Sequence, residues 1–116
     1  MARPPFVPDR GDFMRVVLMP LAGHEQGGER PVLVLSGRDF NAATGLAFAA
    51  PVTSRVRGWP FEVPIPPEGR VQGVVLADQT RSLDYAARHG RRMGAAPDAV
   101  VQAVLERLAL ILGISG

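Results

Sequence analysis

The chain has 116 residues, 47% of them hydrophobic, with 13 basic against 11 acidic side chains, a formal net charge of +2 and no cysteine. That length suits one domain with its own core, the hydrophobic share argues against disorder of the whole chain, and the missing cysteines exclude a disulfide framework and thiolate metal sites. Every basic residue is arginine, which fits a GC-rich coding bias and equally a phosphate-bearing partner, because the planar guanidinium matches phosphate better than an ammonium does.

Residues 1–9 carry closely spaced prolines (Pro4, Pro5, Pro8) and no periodic apolar face. They predict a flexible tail ahead of a single domain over 10–116. The stretch is too proline-rich and too short of apolar length for a signal peptide or a membrane span, so a soluble cytoplasmic protein is expected. Residues 13–19 predict a first strand, stopped by Pro20. Residues 32–35 (Val-Leu-Val-Leu) predict a strand buried on both faces. Ser36 is placed to cap a short helical turn over 39–43 that ends at Gly45. Residues 46–52 predict a third strand, weakened by its alanines.

Residues 61–65 alternate apolar and polar and contain Pro64, which predicts an edge strand. Residues 66–69 (Pro-Pro-Glu-Gly) predict a turn, and 73–77 a buried strand with Asp78-Gln79 just past its end. Residues 81–93 read either as a strand bent at Gly90 or as a short helix over 85–89, with the strand preferred. Pro97 and Asp98 open a final helix and Gly113 stops it; Val100, Val101, Val104, Leu105, Leu108, Ile111 and Leu112 recur at helical spacing as its buried stripe. The order β-β-α-β-β-β-α without repeats or linkers implies a small, mostly antiparallel β-barrel closed by a C-terminal helix.

Between the first two strands lies Gly23-His24-Glu25-Gln26-Gly27-Gly28-Glu29-Arg30-Pro31. It sets a histidine, two carboxylates, an amide and an arginine among glycines, the composition of an active-site loop held by a rigid scaffold. Gly27-Gly28 is not a nucleotide-binding fingerprint, since the spacing fails and the chain has no lysine; two histidines without a paired acid motif give no metal site. No cofactor or metal is expected. Metal-free attack on a phosphate ester needs a base for the attacking hydroxyl, a group that stabilises charge on phosphorus and an acid for the leaving oxygen. Glu25, Asp78 and His24 can each take the proton, Arg30 can clamp the phosphate, and Thr53-Ser54 can bind a phosphate oxygen. The competing structural readings are a solvated bridge from Arg30 to Glu25 or Glu29, and hinge packing rather than base stacking for Trp59 and Phe61.

Gly11-Asp12, Pro20, Gly23-His24-Glu25-Gln26, Arg30-Pro31, Pro51-Val52-Thr53-Ser54, Gly58-Trp59-Pro60-Phe61-Glu62-Val63, Gly73-Val74-Val75-Leu76-Ala77-Asp78-Gln79 and Arg81-Ser82-Leu83-Asp84 follow one another in an order and spacing that resemble the MazF/PemK (Kid) family of toxin endoribonucleases, over about residues 10–113. The resemblance implies an SH3-like barrel, a homodimer, and Glu25, Arg30 and Thr53 as the catalytic set, with His24, Gln26, Ser54, Asp78 and Gln79 in contact with RNA. Leu76 stands where the Kid branch has an arginine, which favours the MazF-type branch and Arg30 as acid or phosphate clamp. The position of His24 is histidine in some members and serine in others.

The function so implied is sequence-specific, metal-independent cleavage of single-stranded RNA to a 2′,3′-cyclic phosphate and a 5′-OH, by the toxin of a toxin–antitoxin pair whose cognate antitoxin covers the basic site with a disordered acidic segment. The rival is a non-catalytic toxin of the same fold that inhibits a protein target such as DNA gyrase, since fold alone does not fix function.

Overall fold

The structure, a computed structural model, describes residues 6–18 and 28–114. Seven strands and two helices follow in the order β1 (Asp12–Leu18), β2 (Gly28–Val34), α1 (Arg38–Thr44), β3 (Leu46–Thr53), β4 (Glu62–Pro64), β5 (Val74–Leu76), β6 (Arg81–Asp84), β7 (Arg91–Ala95) and α2 (Asp98–Leu112), with a 3-10 turn at Ala77–Gln79. The hydrogen-bonded strand order is β4-β5-β3-β2-β1-β7, with β6 added to the free edge of β3, and every pairing is antiparallel. The expected mainly-β fold with a C-terminal helix is observed, but the ladder ends at β4 and β7 and does not close into a ring.

β3 organises the sheet because its backbone pairs with neighbours on both edges. One edge pairs with β2 from Val32–Pro51 to Val34–Ala49; the other takes β6 along Leu46–Ala49 and β5 along Val52–Thr53. The side-chain period of two then sends successive residues into two cores. Phe13, Leu33, Ala50, Val52 and Val75 face Val100 and Val104 of α2. Met14, Val16, Val32, Val34, Ala47, Ala49, Leu83 and Tyr85 fill the opposite side. Burial on both faces, expected for 32–35, holds for every residue of that run.

Several expectations are corrected. Gly37, not Ser36, is the N-cap of α1, and no side chain caps it. The Ser36 hydroxyl instead donates to Asn41 Oδ1 (2.5 Å) and accepts from Phe48 N (2.9 Å), joining α1 to β3. The 81–93 region is two strands rather than one: the Asp84 carboxylate accepts from Ala87 N (3.0 Å) and starts a turn, so β7 leaves β6 and pairs with β1. β4 does not alternate, since Glu62 and Val63 are both buried. Only part of the apolar stripe of α2 is covered; Ile111 and Leu112 are exposed. Of the expected tail, Phe6 packs on the Tyr85 side of the core and Pro8 is fully buried.

Asn41 explains that last difference. Its side chain is fully buried, and its Nδ2 donates to Pro8 O (2.8 Å) and Ser36 O (3.1 Å), while its carbonyl accepts from the Tyr85 hydroxyl (2.7 Å). One amide thus ties the N-terminal segment to α1 and, through its backbone, to the end of β6. Asn41→Ala would strand two carbonyls away from water, so a loss of about 2–4 kcal/mol is expected in chemical denaturation, with unfolding at unchanged slope.

Candidate active site

β2 begins at Gly28, so Glu29 and Arg30 stand on a strand and not in the loop expected for them. The Glu29 carboxylate meets Arg91 Nη2 at 2.9 Å and Arg15 Nε at 3.6 Å, linking β2 to β1 and β7 across the exposed end of their ladder. The structural alternative of an Arg30–Glu29 bridge is therefore not realised, and among the described residues no acid pairs with Arg30. A strand holds a guanidinium more rigidly than a loop does.

The β2–β3 ladder stops at the Val32–Pro51 pair, where Pro31 and Pro51 offer no N–H to continue it. Alternation puts Arg30 on the side of Val32 and Thr53 on the side of Pro51, and since Val32 and Pro51 are paired, both side chains lie on the same face of the sheet. Both side chains line a single cavity of about 1120 Å³ that opens where the ladder ends. Thr53 Oγ1 accepts from Arg55 N (3.1 Å), which fixes the oxygen and leaves the hydroxyl proton free to donate. Gly73 sets the strand's height: at φ +112°, a Cβ there would stand 2.1 Å from Thr53 O.

Ser54 and Gln79, which the resemblance assigns to RNA contacts, also line the cavity, whereas Asp78 is exposed on the 3-10 turn and does not. His24, Glu25 and Gln26 lie outside the described residues. Sequence reasoning missed the rest of the basic wall: Arg15, Arg55, Arg57, Arg70, Arg81 and Arg88 join Arg30 around the opening, and among the described residues no carboxylate lines it. They come from β1, β6, the β3–β4 and β4–β5 connections and the turn after β6, so only the arginine-only composition hinted at them. Such a wall raises the local concentration of a polyanion.

The β3–β4 connection is itself ordered. Glu62 is 7% exposed, and its Oε1 accepts from Gly58 N at 2.8 Å while Oε2 accepts from Arg57 N at 3.1 Å. Arg107 Nε of α2 donates to Pro60 O (3.0 Å) from the other side.

Comparison with known proteins agrees with this geometry. Residues 9–112 match the family model described as PemK-like, MazF-like toxin of type II toxin–antitoxin system. The chain is 36% identical over 108 residues to the endoribonuclease toxin MazF of Escherichia coli (strain K12), covering 93% of this chain and 96% of that protein. It is 43% identical over 110 residues to the Escherichia coli endoribonuclease PemK, covering 90% of this chain and 81% of that one. The structure superposes with a TM-score of 0.89 and 49% identity on a MazE–MazF crystal structure from Deinococcus radiodurans, over 96% of this chain and all of that one, and with a TM-score of 0.76 and 27% identity on a mycobacterial endoribonuclease in complex with its cognate antitoxin, over 94% of this chain and 98% of that one. With a family match along nearly its whole length, and Arg30 and Thr53 lining one arginine-walled cavity, the chain belongs to the PemK-like, MazF-like toxins of type II toxin–antitoxin systems.

Proposed function

We propose that the protein is a sequence-specific, metal-independent endoribonuclease that cuts single-stranded RNA in the cytoplasm, as the toxin of a toxin–antitoxin pair. The observation that carries the reading is the cavity shared by Arg30, Thr53 and six further arginines in a chain of this family. Both relatives named above are endoribonucleases, which favours catalysis over the poisoning of a protein target. No described helix is long and apolar enough to cross a membrane.

In the proposed reaction the ribose 2′-oxygen forms a bond to phosphorus and the P–O5′ bond breaks. The 2′-OH proton passes to a base, for which Glu25 is the first candidate and His24 and Asp78 the others, and the departing 5′-oxygen takes up a proton. Arg30 holds the non-bridging oxygens through two parallel N–H donors, and Thr53 donates its hydroxyl to the same group. His24, Gln26, Ser54, Asp78 and Gln79 are assigned to contacts with the flanking RNA. An unstacked strand is required because the 2′-oxygen must swing in line with the leaving oxygen, and free base edges allow sequence to be read. Incubation of the purified protein with a panel of defined RNAs in EDTA tests this: fragments ending in 2′,3′-cyclic phosphate and 5′-OH are expected, and intact RNA throughout, beside an active control nuclease, overturns it.

The arginine wall makes binding salt-dependent. If four of its guanidiniums each meet a phosphate, affinity for a non-cleavable single strand is expected to fall roughly 50-fold between 50 and 200 mM salt, as fluorescence anisotropy would record; a flat response removes the electrostatic groove. The same wall suits a disordered acidic segment of the antitoxin. A homodimer is supported by Phe40, Phe48, Leu110, Ile111, Leu112 and Ile114, large apolar side chains left exposed on the single protomer. Sedimentation velocity at micromolar concentration decides it, a monomer being the adverse outcome.

A further inference from the structure

Trp59 has no part in the reaction above, yet it is held as a binding group would be. It is 53% exposed, and the Arg57 guanidinium lies over its ring, 5.7 Å from the centroid. The two residues on either side are pinned. Arg57 N and Gly58 N donate to the buried Glu62 carboxylate, Glu62 N donates to Trp59 O (3.1 Å), and Pro60 O accepts from Arg107. An indole left in water forgoes the stabilisation that its burial would give; here β4 and α2 fix the backbone around it without covering it. Hinge packing is thus not its role. Arg57 also lines the cavity that contains Arg30 and Thr53, so the exposed ring adjoins an arginine that borders that cavity.

Resting on the nuclease reading, we propose that Trp59 is a stacking platform for one unpaired base of the RNA, beside the linkage held by Arg30 and Thr53, with Arg57 binding the phosphate attached to that base. The chemistry favours an RNA strand over a peptide. A guanidinium against an aromatic face gives a flat, positively charged surface that suits a base and its phosphate together, and among the described residues the adjoining wall carries seven arginines and no carboxylate. Stacking is tolerant of base identity, so Trp59 sets where the strand lies and how tightly, while other groups read its sequence.

Trp59 is the single tryptophan of the chain, which makes it its own reporter. A fluorescein-labelled, 2′-O-methyl oligonucleotide of a cleaved sequence is titrated into the protein, reading anisotropy for binding and tryptophan emission for contact. Quenching that saturates with the anisotropy is expected. Trp59→Ala is expected to weaken binding by about 5- to 100-fold and Trp59→Phe to restore most of it. Arg57→Gln is expected to flatten the plot of log affinity against log salt by about 0.7. A scan of abasic substitutions gives the readout that a merely structural role would not move: one position is expected to cost wild-type protein that same factor and to cost Trp59→Ala nothing. Anisotropy change with unaltered tryptophan emission, equal abasic losses in both proteins, or quenching by an acidic peptide and not by RNA overturns the platform and leaves the nuclease standing. No anisotropy change and no cleavage by the wild type removes both.

Discussion

Arg30→Ala is expected to slow RNA cleavage about 10²- to 10³-fold with little change in fold, the loss measured for removal of one pre-positioned donor to a developing oxyanion. The side chain is exposed and pairs with no acid among the described residues, so its removal costs within about 0.5 kcal/mol of stability. The melting temperature should therefore stay put while activity collapses. Arg30→Lys should recover little, because a point charge cannot reproduce the two-pronged grip. Thr53→Val, which keeps the shape and loses the hydroxyl, should fall at the lower end of that range. If both groups hold one phosphate, the double variant will lose less than the product of the two single losses. Single-turnover kinetics at saturating RNA provide the measurement. Full activity in Arg30→Ala would show that the two side chains share a cavity without sharing a reaction.

Much of this was legible in the chain, for reasons that differ from element to element. The run at 32–35 announces a two-sided strand because nothing polar interrupts it, and α2 announces itself through Pro97, Gly113 and a stripe at helical spacing. Residues 81–95 do not, since the decision between one strand and two lies in the Asp84–Ala87 contact and in whether β1 has a free edge. Glu62 was read as an outward residue of an alternating strand; its burial serves the backbone N–H groups of a connection whose shape no local pattern encodes. The candidate site divides in the same way. Arg30 and Thr53 were visible through family resemblance, and their juxtaposition follows from the register of β2 on β3. The other arginines of the cavity wall come from five separate stretches, and their convergence is a property of topology alone.

Gly73→Ala is expected to be the most damaging small change outside the groups that touch RNA. An added methyl group would sit 2.1 Å from Thr53 O and 2.8 Å from Thr53 C, with Ser54 Cα at 3.0 Å. These are backbone atoms of a strand held in register with β5 by the adjoining Thr53–Val74 pair, so they have little room to yield. The residue would also have to hold φ at +112°, a region that costs a side-chain-bearing residue about 1–3 kcal/mol. Overpacking against an unyielding backbone adds about as much again. A total near 3–5 kcal/mol corresponds to a fall of roughly 10–20 °C in melting temperature for a chain of this size. Activity should suffer beyond the unfolded fraction, because relief of the clash must push Thr53 away from Arg30, and a displacement of about 1 Å is worth roughly 100-fold in rate. Gly69→Ala supplies the control: a Cβ there meets nothing within 4 Å, so the same chemical change in the same connection should leave both quantities almost untouched. Measured well below the melting temperature, Gly73→Ala should bind RNA nearly normally and cleave it slowly. A variant that melts early yet cleaves at the wild-type rate per folded molecule would mean that the height of β3 at Thr53 matters to the fold and not to the chemistry.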